Sequence, residues 1–88
     1  MEKRIGSVII LVTDRTQIPA LNKLFTSYCD IIIGRQGVPL HDRKISLISL
    51  IVEGTTDEIG ALTGKIGRMK GMKVKSVLTS YHSESGDA

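Results

Sequence analysis

The chain has 88 residues, of which 41% are hydrophobic and 24% charged, with a formal net charge of +3. These are values of one ordinary globular domain, and they exclude a disordered chain. Its single cysteine, Cys29, excludes an internal disulfide and fits a reducing, cytoplasmic setting, and no run approaches the ~20 apolar residues of a membrane span.

The N-terminus places basic residues before an apolar run but lacks a small-residue cleavage site, so RIGSVIILVT (4–13) reads as a first strand rather than a signal peptide. Its two faces, Ile5, Ser7, Ile9, Leu11 and Gly6, Val8, Ile10, Val12, are both apolar. A turn at TDRTQIP leads into a helix, with Pro19 acceptable in the first turn. Ile18, Leu21, Leu24, Phe25 and Tyr28 recur at helical spacing and mark its buried stripe. CDIIIGRQGVP predicts a short second strand that breaks at Gly34 and Gly37, before Pro39 and HDR carry the chain through a hairpin connection.

KISLISLIVEG (44–54) predicts a third strand, again apolar on both faces. Thr55 and Glu58 have the spacing of a capping box that starts a second helix. Ile59, Leu62, Ile66 and Met69 form its apolar stripe, and Gly71 suits the left-handed residue that closes it. Gly60, Gly64 and Gly67 are costly inside a helix, at ~1 kcal/mol each relative to alanine, and suggest a close approach by a packed neighbour. The last strand, MKVKSVLTSY (72–81), sets Met72, Val74 and Leu78 against Lys73 and Lys75. The expected domain spans 1–80, and 81–88 form a polar tail.

This order, βαββαβ, predicts an α+β ferredoxin-like sandwich with both helices on one face of a four-stranded antiparallel sheet. Right-handed crossovers place strands one and three at the centre and two and four at the edges. The helix-free face then carries roughly six to eight large aliphatic side chains. Leaving them wet forfeits on the order of 10 kcal/mol, comparable with the ~5–15 kcal/mol net stability of a domain. Such a face is expected to pack on another copy of the chain, as a dimer or tetramer. Ile9, Ile10, Ile48 and Leu50 are the candidate interface residues.

Chemistry-bearing clusters are sparse. His41, His82 and Cys29 match no metal-ligand spacing, so neither a metal nor another cofactor is expected. A hydrolase of this topology needs an arginine and an asparagine poised on a phosphate, whereas Asn22 falls outside its helix's buried stripe; no enzymatic activity is expected. RNA-binding modules of this order stack bases on aromatics of strands one and three. Those strands have none, the aromatics being Phe25, Tyr28 and Tyr81, so RNA reading through the sheet is not expected. A helix start attracts anions or is capped by a carboxylate, which makes Asp14, Arg15, Thr16 and Gln17 a candidate ligand-binding turn. Gly34, Arg35, Gln36 and Gly37 offer a second surface, their glycines supplying a positive φ or a bulge near the hairpin. The cations from Lys65 to Lys75 form a basic run that could meet nucleic acid or a protein.

SVIILVTDRTQIPALNKLFTSYCDIIIGRQGVP followed by SLISLIVEGTTDEIGALTGKIGRMKGMKVKS resembles the small ACT-like iron-only hydrogenase system regulators over residues 4–79. More distantly the chain is similar to the C-terminal regulatory domain of nickel-responsive repressors, a ferredoxin-like domain that oligomerises and binds metal. That resemblance would put the nickel ligands between Val38 and Ser46, where this chain lacks the His and Cys pattern, so the nickel site is expected to be absent. Amino-acid-sensing ACT domains carry a glycine in the first turn where this chain has Gln17. Together these features imply a non-enzymatic regulatory or ligand-sensing module. It would assemble with itself, answer to a small effector or a regulatory protein partner, and be linked to hydrogenase expression or maturation. The alternative is an interaction module that uses Lys65 to Lys75.

Overall fold

The computed structural model describes residues 2–82; residues 83–88, in the predicted tail, lie outside the described residues. Strand β1 (Arg4–Val12) leads through a 3₁₀ turn, Arg15–Gln17, to helix α1 (Ile18–Ser27). Strand β2 (Ile32–Leu40), a 3₁₀ turn at His41–Arg43 and strand β3 (Ile45–Gly54) follow, then helix α2 (Thr56–Gly67) and strand β4 (Met72–His82). The sheet order is β2-β3-β1-β4 with all three pairings antiparallel. This is the ferredoxin-like α+β arrangement expected, with the two non-alternating strands at the centre.

Register decides which face each residue takes. Val8 lies opposite Leu50, Gly6 opposite Val52 and Ile10 opposite Ile48, and these residues meet the helices. The core joins them to Leu21 and Phe25 of α1 and Ile59, Leu62 and Ile66 of α2, with Ile18, Leu24, Tyr28 and Met69 packed at its margin. Both helical stripes therefore fall where periodicity placed them.

The helix boundaries rest on local chemistry. The Thr55 hydroxyl accepts from the Glu58 backbone N–H at 3.1 Å, and the Glu58 carboxylate accepts from the Thr55 N–H at 2.8 Å. This reciprocal pair satisfies two amides at the start of α2. At the other end Gly71 takes φ +72, and its carbonyl accepts from both the Thr13 backbone N–H and hydroxyl. The end of β1 and the start of β4 are thereby tied together.

Three expectations change. Strand β2 does not break at Gly34 or Gly37; it runs through both and through Pro39. Proline is tolerated there because β2 is an edge strand, where one side of the ladder needs no N–H. The glycines supply no positive φ, since Gly71 is the one glycine of that kind among the described residues. The bulge sits at the start of β2, between Ile32 and Gly34, and near the hairpin it is Lys44 that turns left-handed. Finally, β4 runs to His82, one residue past the predicted strand end at Tyr81, and so extends beyond the expected domain boundary at residue 80.

Candidate functional site

The first turn is built by Asp14. Its carboxylate accepts from the Thr16 backbone N–H at 3.0 Å and from the Thr16 hydroxyl, capping the 3₁₀ turn. The Thr16 hydroxyl first, then its N–H, hold the Asp14 carboxyl below its ordinary pKa. Arg15 reaches across to the Ile45 carbonyl at 3.2 Å. Asp14 is thus committed to Thr16 and Arg15 to the start of β3. Gln17 precedes α1 without a side-chain cap.

The second candidate segment lies elsewhere. Arg35 pairs with Leu50 and so faces the helices, whereas Gln36, opposite Ser49, faces away from them. The Arg35 guanidinium donates to the Asn22 side-chain oxygen at 3.0 Å and lies 4.8 Å from the centre of the Phe25 ring. Beside it, between the end of α1 and the bulge of β2, is a cleft of about 320 Å³ lined by Phe25, Thr26, Cys29, Ile32, Ile33, Gly34 and Arg35. Ile33, the extra residue of the bulge, is 58% exposed. Gly34 and Arg35 enter this cleft; Gln36 and Gly37 do not line it.

Sequence reasoning missed Asn22, Cys29, Ile32 and Ile33 as companions of Arg35. The missing signal was the bulge. With β2 read as broken at Gly34, the facing of Arg35 could not be assigned, and a one-residue insertion reverses every side chain beyond it.

Of the four expected interface residues, Ile10, Ile48 and Leu50 lie in the core under the helices, at 0%, 6% and 0% exposure. That corrects their assignment, for their own chain already covers them. Ile9 alone of the four faces the open side of the sheet. Its companions there follow from register: Leu11 opposite Leu47, Ser7 opposite Ile51, Val38 opposite Leu47 and Val77 opposite Ser7. Ile9, Ile51 and Val38 are each about two-fifths exposed and Val77 is 70% exposed. Leu11, Ile45 and Leu47 are half-buried by their neighbours, so the wetted area is well below that of fully exposed side chains.

The basic run is divided. Lys73 and Lys75 lie opposite Leu11 and Ile9 on the open face of the sheet. Lys65 lies 5.1 Å from the centre of the Tyr28 ring, on the helical side. Lys65 therefore does not share a face with Lys73 and Lys75. Among the described residues no group of three or more His, Cys, Asp or Glu side chains is placed to hold a metal ion, and no helix is long and apolar enough to cross a membrane.

A two-helix ferredoxin-like domain with a small edge cleft is a scaffold for binding and regulation as readily as for catalysis. Residues 4–76 match the TM1266-like family, provisionally described as iron-only hydrogenase system regulator, and the chain belongs to that family. It is similar to the solved structure of the uncharacterized protein TM1266 from Thermotoga maritima, with 32% sequence identity and a TM-score of 0.83 over 88% of this chain and 98% of that one. No curated protein matches the chain.

Proposed function

We propose that this protein is a non-enzymatic regulatory module that acts as a homo-oligomer, joined through the open face of its sheet, and senses a small effector. The description of its family supports the regulatory part. The observation that carries the oligomer is the pair Ile9 and Ile51, 41% and 42% exposed on the two central strands. Central positions of a sheet are the last places where a soluble domain leaves aliphatic groups wet, and a contiguous apolar patch marks a contact surface. The same face serves both partners of a two-fold contact, so no second surface need be specified.

Native mass spectrometry of the protein at micromolar concentration tests the reading. A dimer or tetramer is expected, and a retained small molecule would appear as added mass on each subunit. A monomer throughout the micromolar range would overturn the proposed assembly.

A further inference from the structure

The cleft between α1 and β2 supplies what a specific small ligand needs. Its volume of about 320 Å³ is at the lower end of the ~300–1,000 Å³ typical of ligand pockets. Phe25, Ile32 and Ile33 give it an apolar lining, and Arg35 gives it one cation. Among the described residues no acidic side chain forms a salt bridge with Arg35. The guanidinium is nevertheless held in place by the Phe25 ring and the Asn22 oxygen. One of its N–H groups is used there, out of five on the fork. A guanidinium positioned without an acid partner matches the planar geometry of a carboxylate.

The surroundings limit the ligand's charge. The cleft lies at the C-terminal end of α1, where the helix carbonyls present partial negative charge. Asp30 is next to it, its carboxylate 4.0 Å from the Cys29 sulfur. These groups disfavour a dianion such as a phosphate monoester and leave one positive centre to satisfy. From these features we infer that the cleft binds a small monocarboxylate with an apolar body, its carboxylate on Arg35 and its body against Ile32 and Ile33. The inference names the effector class for the sensing function proposed above, and rests on that reading.

Cys29, the chain's one cysteine, is exposed and lines the cleft, which makes it a reporter. Phenylacetate and its neutral isostere phenylacetamide are the probes. In amide-resolved NMR titrations phenylacetate should shift the signals of Cys29, Ile33, Gly34 and Arg35 and slow alkylation of Cys29 by iodoacetamide. Phenylacetamide should bind about tenfold more weakly, the loss expected for one charge-assisted hydrogen-bonded contact. Arg35→Ala should abolish that difference, with the fold checked by circular dichroism. Equal binding of the two probes, shifts confined to other regions, or no binding at millimolar concentration would overturn the assignment. A monomer that still prefers the carboxylate keeps the cleft and removes the oligomer; an oligomer indifferent to charge does the reverse.

Discussion

Gly71 and Gly60 are both glycines near or within α2, yet alanine should have opposite effects at the two positions. At Gly71 the backbone is left-handed at φ +72, and an added Cβ would run into Asp14. Gly71→Ala should therefore lower stability by roughly 1–3 kcal/mol. At Gly60 and Gly64 an added Cβ meets nothing within 4 Å, so alanine should stabilise by up to ~1 kcal/mol each through helix propensity. Urea unfolding of the three single variants reads both signs. The role of Gly71 was legible because a glycine just past an apolar helical stripe has one common use. The glycines inside α2 were not, for composition cannot reveal that the space beside them is open rather than filled. Within the chain Gly60 and Gly64 have no close neighbour, contrary to expectation, and a Cβ added at Gly67 would meet Val74 at an ordinary 3.5 Å. Two carboxylates extend the residue scale to pH. Thr16 holds the Asp14 carboxyl below its ordinary pKa, and the Thr55 N–H does the same for Glu58. A group whose folded pKa is depressed contributes stability that is present above its unfolded pKa and lost as pH falls through the folded one. Stability should therefore decline as pH drops below about 4. The double variant Asp14→Asn, Glu58→Gln should show a shallower decline in acid unfolding curves, and an unchanged slope would assign the acid sensitivity to other groups.

Among the elements, the central strands show how far sequence reasoning reaches. Lack of alternation in β1 and β3 identified them as the central strands, and the lysines of β4 identified an edge, as the sheet order has them. What it left open was which set of residues meets the helices. Period-two alternation is symmetric, and only register against β4, whose Val74 lies opposite Ile10, breaks the symmetry. The same ambiguity hid the cleft, since the bulge at Ile33 reverses the facing of β2. Leu50 and Ile51 now provide a sharp test, because they are adjacent in β3 and point to opposite faces. Leu50 is 0% exposed and Ile51 42%. Leu50→Asp buries an unpaired carboxylate in the core and should cost at least ~3 kcal/mol, enough to unfold a small domain. Ile51→Asp should leave the circular dichroism spectrum native and reduce the particle mass. If Ile51→Asp unfolded the domain as Leu50→Asp does, the monomer would not be stable with its open face uncovered.

For the whole molecule, the assembly proposed through the open face would tie association to stability. The two helices lie on one side of the sheet, and on the other Ile9, Ile51 and Val77 are exposed. If a second copy covers them, folding and association share a free energy, and mass action makes the melting temperature depend on protein concentration. For a dimer that unfolds directly to two chains, a tenfold rise in concentration adds about 1.4 kcal/mol per dimer. Divided by an unfolding entropy of roughly 2.1 cal/mol/K per residue over both chains, this raises the melting temperature by about 4 °C. Ile9→Lys with Ile51→Lys places two cations beside Lys73 and Lys75, which already occupy that face. Like charges brought together across a two-fold contact repel, and lysine can extend its ammonium into water only while the face stays uncovered. Calorimetry at two concentrations should therefore show the shift in the natural protein and none in the double variant. A melting temperature independent of concentration in both would mean that the sheet face does not hold copies of this chain together.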